Sequence, residues 1–145
     1  MVRVRPLESD DLERLASLVS SGAGQAGEET LLTRGAVSFY SRSGHAFVAE
    51  DDAGARGFAL AQAVWNGVRP TVRLQTLRVA DEGDDAARAS LLEAVTKSAY
   101  DAAVYDLVAT VPERDDKLNA LLAVQGWSAE PVRTWCRTLG SRGRS

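Results

Sequence analysis

The fold is decided by one stretch, residues 71–103, which reads TVRLQTLRV (71–79), ADEGDD (80–85) and AARASLLEAVTKSAYDAA (86–103). The first part predicts a strand over Thr71–Val79. The second part is an acidic turn, and the third predicts an amphipathic helix over Asp85–Ala103, because its apolar residues recur three and four positions apart. A turn from the carboxyl end of a strand into a helix is a natural ligand site in mixed α/β proteins.

The apolar pattern of this strand slips by one residue near its middle. Val72 and Leu74 are apolar at even positions, whereas Leu77 and Val79 are apolar at odd positions. Because strand side chains alternate between two faces, one explanation is a β-bulge near Gln75-Thr76. The alternative is a strand that is buried on both faces and therefore shows no phase.

The remaining chain predicts further helices and strands on both sides of this unit. In order, they are strand Val2–Arg5, helices Ser9–Gly22 and Glu28–Ser41, strands His45–Glu50 and Arg56–Trp65, and, after the central helix, strand Leu107–Val111, helix Arg114–Gln125 and strand Val132–Leu139. The order β-α-α-β-β-β-α-β-α-β predicts an α/β fold with a mixed sheet. In this sheet, the central helix joins strands Thr71–Val79 and Leu107–Val111 through a right-handed parallel crossover. We expect one domain over residues 1–139 and a flexible basic tail at 140–145.

Composition describes an ordinary globular chain and excludes several classes of protein. The chain has 145 residues and a formal net charge of −3, so no nucleic-acid partner is expected. No apolar run approaches the length of a membrane span, so no membrane partner is expected either. The single cysteine, Cys136, cannot form an internal disulfide, which fits a cytoplasmic location. No metal-ligand constellation, Walker loop or nucleophile elbow is present, so no metal is expected.

The ordered set of elements and turn residues resembles the GCN5-related N-acetyltransferase (GNAT) superfamily over nearly the whole chain. Four segments carry the resemblance: Val4-Arg5-Pro6 with Asp10-Asp11-Leu12, Phe47–Glu50 with Gly57-Phe58, Leu77-Arg78-Val79, and Val124-Gln125-Gly126-Trp127. They are similar, respectively, to the family's opening strand and helix, its second and third strands, the end of its central strand, and a helix ending in which Trp replaces Phe. The resemblance implies a GNAT-like single domain.

The resemblance also implies a function, that of an acyl-CoA-dependent N-acyltransferase. In the family, acetyl-CoA or another acyl-CoA lies in a V between the fourth and fifth strands, and a bulge in the fourth strand offers an amide to the thioester carbonyl. This feature favours the bulge near Gln75-Thr76. The implied cofactor-binding residues are Leu77, Arg78, Val79, Ala87, Arg88 and Ala89. The acceptor would be a small-molecule or protein amine, and a homodimer is a further expectation.

The phosphate-binding loop departs from the family pattern. The family opens its helix with Gln/Arg-x-x-Gly-x-Gly/Ala, whereas this chain has Asp84 at the first position, Asp85 at the first glycine and Ala87 at the second. Two carboxylates beside a pyrophosphate repel it, by roughly 1 kcal/mol or more each near a protein surface. Arg88 is the nearby cation that would compensate. The two aspartates either only cap the helix or also exclude acyl-CoA, and the second case predicts a degenerate GNAT-like ligand-binding or protein-interaction module.

The sequence names no complete set of catalytic residues. The family's tyrosine acid falls at Leu122, and Tyr100 and Tyr105 are the alternatives that remain. For the base, the candidates are Gln75, which lies near the expected place but cannot titrate, and Glu50, which ends a strand and would line the cleft. The sole histidine, His45, is interpreted as structural.

Overall fold

The computed structural model describes residues 1–21 and 32–140, and side chains 19–21 are not among the described groups. The elements in the described residues are β1 (Arg3–Pro6), α1 (Leu12–Ser21), α2 (Arg34–Ser41), β2 (Phe47–Asp51), β3 (Gly54–Trp65), β4 (Pro70–Val79), α3 (Asp85–Asp101), β5 (Leu107–Ala109) and α4 (Asp116–Val124). This order confirms the predicted α/β architecture from the first strand through the last helix.

The five strands form one mixed sheet whose spatial order follows the sequence, β1-β2-β3-β4-β5. Neighbouring strands from β1 to β4 are antiparallel, as expected for a hairpin and meander. β5 is parallel to β4. α3 carries the chain back to the other end of the sheet, so β5 starts at the same end as β4 does. The predicted crossover is therefore present, and it places the carboxyl ends of β4 and β5 at the same edge.

The sheet is covered on both faces, and each face has its own apolar core. On one face, α1 and α2 pack through residues that include Leu15 and Val37 against Val48 and Phe58 of the sheet. On the other face, the core includes Leu74, Leu77 and Val79 of β4, Leu91 and Val95 of α3, and Leu118 and Leu122 of α4. This second core fixes α3 directly over the central strand.

The slip in the apolar pattern of β4 is a β-bulge. Leu60 pairs with Thr76 and Ala61 pairs with Leu74, so Gln75 is an extra residue without a partner on β3. The extra residue shifts the alternation by one, which brings the even-numbered apolar residues before it and the odd-numbered ones after it to the α3 face. The bulge, and not burial of both faces, is therefore the correct explanation of the sequence pattern.

α3 packs closely on the sheet at Gly57. A Cβ atom at this position would lie 2.6 Å from the backbone oxygen of Arg78 and 3.2 Å from Cδ1 of Leu91. These contacts leave no room for a side chain without a shift of the backbone of β4. Gly57 thus sets the close approach of helix and strand next to the turn that follows β4.

One predicted strand and one predicted helix boundary are wrong. The strand expected at Val132–Leu139 does not form, and residues 128–139 are exposed and carry neither helix nor strand. Alternation of side chains specifies a segment that can pair but not the strand with which it pairs.

The second helix begins at Arg34 instead of Glu28, because Thr33 is its N-cap and accepts a 3.0 Å bond from the amide of Ala36. Glu28 itself, Gly22 and the tail at 141–145 lie outside the described residues.

Candidate ligand cleft and the turn before helix α3

β4 and β5 stop pairing part-way along β4, and the space between them beyond this point is the candidate ligand cleft. The strands pair only from Val72 to Leu74, and the amide of Thr110 donates a last 3.1 Å bond to the carbonyl of Leu74. Beyond this point β4 continues to Val79, whereas β5 ends at Ala109 and the chain leads on to α4. The two strands are therefore not paired along their full length, and the bulge at Gln75 lies directly after the last paired residue of β4.

The predicted cofactor-binding residues of β4 lie beyond the last residue that pairs with β5. The side chains of Leu77 and Val79 are buried beneath α3, so they are not available to a ligand. Arg78 is also buried, and burial lowers the pKa of its guanidinium, an effect that the negative charge of Asp115 opposes. Since Asp115 is the N-cap of α4, the far end of β4 lies near the start of that helix.

The turn before α3 is closed by Asp84. Its Oδ1 accepts a 3.1 Å bond from the amide of Ala87, as expected for an N-cap. Arg56 donates to both carboxylate oxygens, from Nη2 at 2.6 Å and from Nε at 2.8 Å. The hydrogen bonds from Arg56 are the main reason that the pKa of Asp84 is lowered, so the carboxylate is held in its charged form. A fixed anion therefore already occupies this helix terminus.

Arg56 reaches Asp84 because of a second bulge in the sheet. Ala49 pairs with Gly57 and Glu50 pairs with Ala55, which leaves Arg56 as the extra residue of β3. Its guanidinium also lies 3.4 Å from a carboxylate oxygen of Asp51. Reasoning from the sequence missed Arg56. Its signal in the sequence is only an arginine beside a glycine at the start of a return strand, far from Asp84 along the chain.

Arg88 and Asp85 make a separate set of contacts in the same turn. The Arg88 side chain is 4 % exposed, and its guanidinium donates a 2.8 Å bond to the carbonyl of Glu82 and lies 3.0 Å from the carboxylate of Asp85. The Asp85 side chain is 77 % exposed. Of the two remaining predicted positions on α3, Ala87 is fully buried and Ala89 is partly buried. The buried Arg88 side chain thus stabilises the turn through its contacts with Glu82 and Asp85, whereas the Asp85 side chain is exposed to solvent.

A pocket of about 430 Å³ lies beside this turn. Its lining comes from the β2–β3 hairpin and from the turn before α3, and it includes Asp51, Arg56, Asp81 and Asp84. None of its lining residues belongs to β5, so the pocket is distinct from the cleft between β4 and β5. Its lining includes three carboxylates and one guanidinium, a charge balance that does not favour an anionic phosphate.

The predicted catalytic candidates lie in different places. Gln75 is exposed at the bulge, at the base of the cleft. Glu50 lies on β2, two strands from β4, and its carboxylate is 3.2 Å from Nε of Arg5. Leu122 is buried in the core beneath α4.

The two tyrosines considered as alternatives are at the opposite end of the sheet. Tyr105 lies just before β5, whose first residue pairs with Val72 near the start of β4. Tyr100 contacts Tyr105 edge-on, with ring centroids 5.7 Å apart. Neither hydroxyl is therefore placed in the cleft at the carboxyl ends of β4 and β5.

The match to a family model covers most of this fold. The model described as "Protein of unknown function (DUF1999)" matches residues 25–144. The chain belongs to the DUF1999 family. This DUF1999 chain is 40 % identical to TTHA1254 from Thermus thermophilus, with a TM-score of 0.76 for the wild-type structure and coverage of 97 % of this chain and 99 % of that one. No curated protein sequence matches it.

Structures of acetyltransferases share the fold at low identity. The ribosomal-protein-alanine N-acetyltransferase from Brucella melitensis biovar Abortus 2308 aligns with a TM-score of 0.74 and 17 % identity, over 95 % of this chain and 100 % of that one. The aminoglycoside N-acetyltransferase AAC(6')-Iy in complex with CoA aligns with a TM-score of 0.70 and 18 % identity, over 95 % of each chain. The DUF1999 chain thus has the GNAT fold that its sequence resembles.

The described part of the DUF1999 chain lacks two other kinds of feature. No helix there is long and apolar enough to cross a membrane. Within the same residues, no group of three or more His, Cys, Asp or Glu side chains is placed to hold a metal ion.

Proposed function

We propose that this protein is an acyl-CoA-dependent N-acyltransferase that receives the thioester end of its donor, acetyl-CoA or another acyl-CoA, between β4 and β5. The observation that carries the proposal is the bulge at Gln75, located where pairing of the two strands ends. A bulge releases backbone groups from the sheet, and such groups at the base of a cleft are suited to hold a carbonyl oxygen. The fold shared with acetyltransferases supports the same conclusion.

The chemistry of this reaction asks little of side chains. An amine forms a C–N bond to the thioester carbon, the C–S bond breaks, and the proton lost by nitrogen finally resides on the thiol. Amides near Gln75 would stabilise the negative charge that develops on the carbonyl oxygen. Because Gln75 cannot titrate, we propose that a water held in the exposed cleft carries the proton from the amine.

The diphosphate end of an acyl-CoA fits this protein poorly. At the helix terminus where a phosphate would bind, the carboxylate of Asp84 accepts from Ala87 and is held by Arg56. An added phosphate would have to displace this ion pair. We therefore infer that affinity for the donor comes from its pantetheine arm along β4, and that loss of the phosphates costs the complex little.

Calorimetric titration with acetyl-CoA and with S-acetyl-pantetheine, which lacks the nucleotide diphosphate, tests this proposal. We expect the two dissociation constants to agree within about threefold, and thiol release from both in the presence of an accepted amine. Thr110→Trp places a large ring at the point where the strands separate and should abolish binding of both. Val68→Trp, in the exposed turn between β3 and β4, is the matched control and should leave both constants unchanged.

A second function is favoured by two observations. The position of the family's acid is the buried Leu122, and the helix terminus is filled by Asp84. A GNAT-like ligand-binding or interaction module without acyl transfer would need neither an acid nor a phosphate site. Binding that is blocked by Thr110→Trp but never accompanied by thiol release would support this module, and absence of binding to folded protein would overturn the acyltransferase.

A further inference from the structure

Arg73 and Thr110 join β4 to β5 at the point where pairing of the two strands ends. Nη1 of Arg73 donates a 2.8 Å bond to Oγ1 of Thr110. The amide of the same threonine makes the last bond between the strands, to the carbonyl of Leu74. The bulge at Gln75 follows, two residues or about 7 Å along the strand from Arg73. The arginine side chain is thus long enough to reach a substrate bound at the bulge.

The contacts of Arg73 differ from those of several other arginines in this protein. Arg5, Arg56 and Arg88 each contact a carboxylate. Arg73 takes part in no ion pair among the described residues, and its bond to Thr110 is the one side-chain hydrogen bond that it makes with them. A guanidinium has five N–H donors in a planar fork, which fits both oxygens of a carboxylate. Unlike Arg56, Arg73 can therefore bind a ligand's carboxylate without the loss of an internal ion pair.

The two side chains lie on the face of the sheet opposite α3. Leu74 and Ala109 pack in the core beneath α3, and their neighbours project from the other face because strand side chains alternate. In the described part of the chain, the core beneath α1 and α2 includes residues of β2 and β3 but none of β4 or β5. Thr110 is exposed on this face. The described residues thus leave this part of the face accessible to a ligand.

An amine would reach the thioester carbon from this same face. A nucleophile attacks a carbonyl carbon from above or below the plane of the carbonyl group. On the α3 side of β4, the space is filled by Leu77 and Leu91, which are both buried. The acceptor would therefore approach across Arg73 and Thr110, and a group on the carbon next to its nitrogen would lie beside the guanidinium.

The charges near the candidate cleft favour a carboxylate on the acceptor over a carboxylate on the acyl group. Residues 81–85 contain four acidic residues, and residues 113–116 contain three acidic residues and one arginine. These stretches lead into α3 and α4, beyond the last paired residues of β4 and β5. A protonated amine that also carries a carboxylate has no net charge. An acyl-CoA with a further carboxylate would instead be repelled more strongly than acetyl-CoA.

We propose that Arg73, assisted by Thr110, binds the carboxylate of the acceptor, and that the acceptors are amines of the α-amino acid class. This assignment rests on the acyltransferase function proposed above and names its substrate class. The guanidinium donates to the two carboxylate oxygens, and the hydroxyl of Thr110 accepts from Arg73 and donates to one of them. Binding of the carboxylate holds the amine next to the thioester carbon. Arg73 is thus a specificity-determining residue and exchanges no proton.

Thiol release from acetyl-CoA and from S-acetyl-pantetheine tests the acceptor class. Each of the twenty α-amino acids is compared with its amide, which keeps the amine and lacks the carboxylate. For at least one pair, we expect kcat/KM of the wild type to be at least thirtyfold higher for the acid than for the amide. Arg73→Gln should remove this preference and leave kcat/KM for the amide within threefold of wild type. Thr110→Val should reduce the preference in the same direction by a smaller factor.

Arg69→Gln is the matched control for Arg73→Gln. It removes a guanidinium that is 61 % exposed and pairs with Asp106 at the other end of β4, so the preference for the acid should persist. Equal rates for acids and amides, or a preference that survives Arg73→Gln, would overturn the proposal. A preference for succinyl- over acetyl-pantetheine that disappears in Arg73→Gln would also overturn it, because the carboxylate would then belong to the acyl group.

Calorimetric titration with N-acetyl amino acids separates this inference from acyl transfer itself. The probes are the N-acetyl derivatives of glycine, leucine, phenylalanine, lysine and glutamate, each with its amide. At least one acid should bind wild type tenfold more tightly than its amide, and Arg73→Gln should abolish the difference. This result without any thiol release would support the carboxylate site and contradict the acyltransferase. Acids and amides that bind equally would overturn the site. Should Arg73→Gln not fold, Arg73→Lys, which keeps the charge and lacks the planar fork, should lower the difference at least threefold.

Discussion

Arg56 and Asp84 form a two-bond ion pair, Nη2 to Oδ1 at 2.6 Å and Nε to Oδ2 at 2.8 Å, that joins β3 to the start of α3. The pair puts a carboxylate where an anionic ligand of a GNAT fold would meet the helix, and it supplies the cation that neutralises this carboxylate. The guanidinium of Arg56 is thereby paired within the protein and is not available to a ligand. A substitution of Asp84 removes this pairing.

Asp84→Asn should increase the affinity for acetyl-CoA. Asparagine is as good an N-cap as aspartate, so α3 keeps the bond to the amide of Ala87. The negative charge disappears and Arg56 becomes available to a phosphate. We expect binding to improve by roughly 1–3 kcal/mol, the range for hydrogen bonds to charged groups, measured by calorimetric titration.

Asp85→Asn is the matched control for this substitution. The Asp85 side chain is 77 % exposed and contacts Arg88, not Arg56. It should improve binding less than Asp84→Asn does, because solvent screens its charge. A larger gain from Asp85→Asn, or no gain from Asp84→Asn, would show that the ion pair does not control the anion site. S-acetyl-pantetheine should bind all three proteins equally.

Leu91→Ala should destabilise the fold severely. Leu91 is fully buried and meets the sheet at Gly57. Removal of a buried leucine leaves a cavity, and the free energy of unfolding should fall by roughly 2–5 kcal/mol in urea titration. Val124→Ala, on an 84 % exposed side chain of α4, should change the unfolding free energy little. Equal effects of the two substitutions would place the apolar stripe of α3 outside the core.

Features encoded by neighbouring residues were predictable from this sequence. The slip between Leu74 and Leu77 located the bulge, because alternation is a local property of a strand. Gly126 marked the end of α4, because a glycine just after a helix is also a local signal. Leu122 is buried, whereas its neighbour Leu121 is only partly buried, since a short helix exposes part of its apolar face.

Features that depend on partners distant in the chain were not predictable. Arg56 meets Asp84 only because a bulge in β3 turns its side chain toward the start of α3. The segment Val132–Leu139 has the pattern of a strand, but pairing requires a free edge, and the pattern does not say which chain provides it. The cation expected from the sequence to compensate Asp84 was Arg88, which is near in the chain, whereas the guanidinium that contacts Asp84 in the structure is that of Arg56.

Asp11→Asn should destabilise the junction of β1 and α1. Asp11 is fully buried, accepts two bonds from Arg5 at 2.9 and 3.0 Å, and accepts a 2.8 Å bond from the amide of Glu8. Burial raises the pKa of its carboxyl, but these bonds outweigh burial and the pKa is lowered. We expect a loss of roughly 1–3 kcal/mol at pH 7. Asp10→Asn, on a 74 % exposed side chain, is the control.

The sign of the pH dependence follows from that lowered pKa. A carboxyl with a folded-state pKa below its unfolded value stabilises the fold above the unfolded pKa, near 3.9, and loses this contribution as pH falls through the folded pKa. The difference in unfolding free energy between wild type and Asp11→Asn should therefore shrink below about pH 4. A difference that stays constant down to pH 3 would mean that the charge of Asp11 contributes nothing.

Because of His45, the free energy of unfolding should decrease as pH falls from 7 to 5. His45 is 6 % exposed, and Nδ1 of its ring lies 2.8 Å from Oγ of Ser98. Ser98 donates its one hydroxyl hydrogen to the carbonyl of Val95, so Nδ1 is the donor to Oγ and the neutral ring carries its proton there. Acid adds the second proton to Nε2 and creates a buried charge, which is why burial lowers the pKa of His45.

A histidine with a folded-state pKa below its unfolded value, near 6.5, binds more protons when unfolded in the interval between the two. The unfolding free energy should thus decrease as pH falls through 6.5, by at most about 1.4 kcal/mol per pH unit for one proton. His45 is the sole histidine, and carboxyls such as that of Asp11 titrate at lower pH, so this interval isolates it. His45→Gln should remove the slope in urea titrations at pH 5 to 8. Parallel pH profiles for the two proteins would show that His45 is not buried in its neutral form.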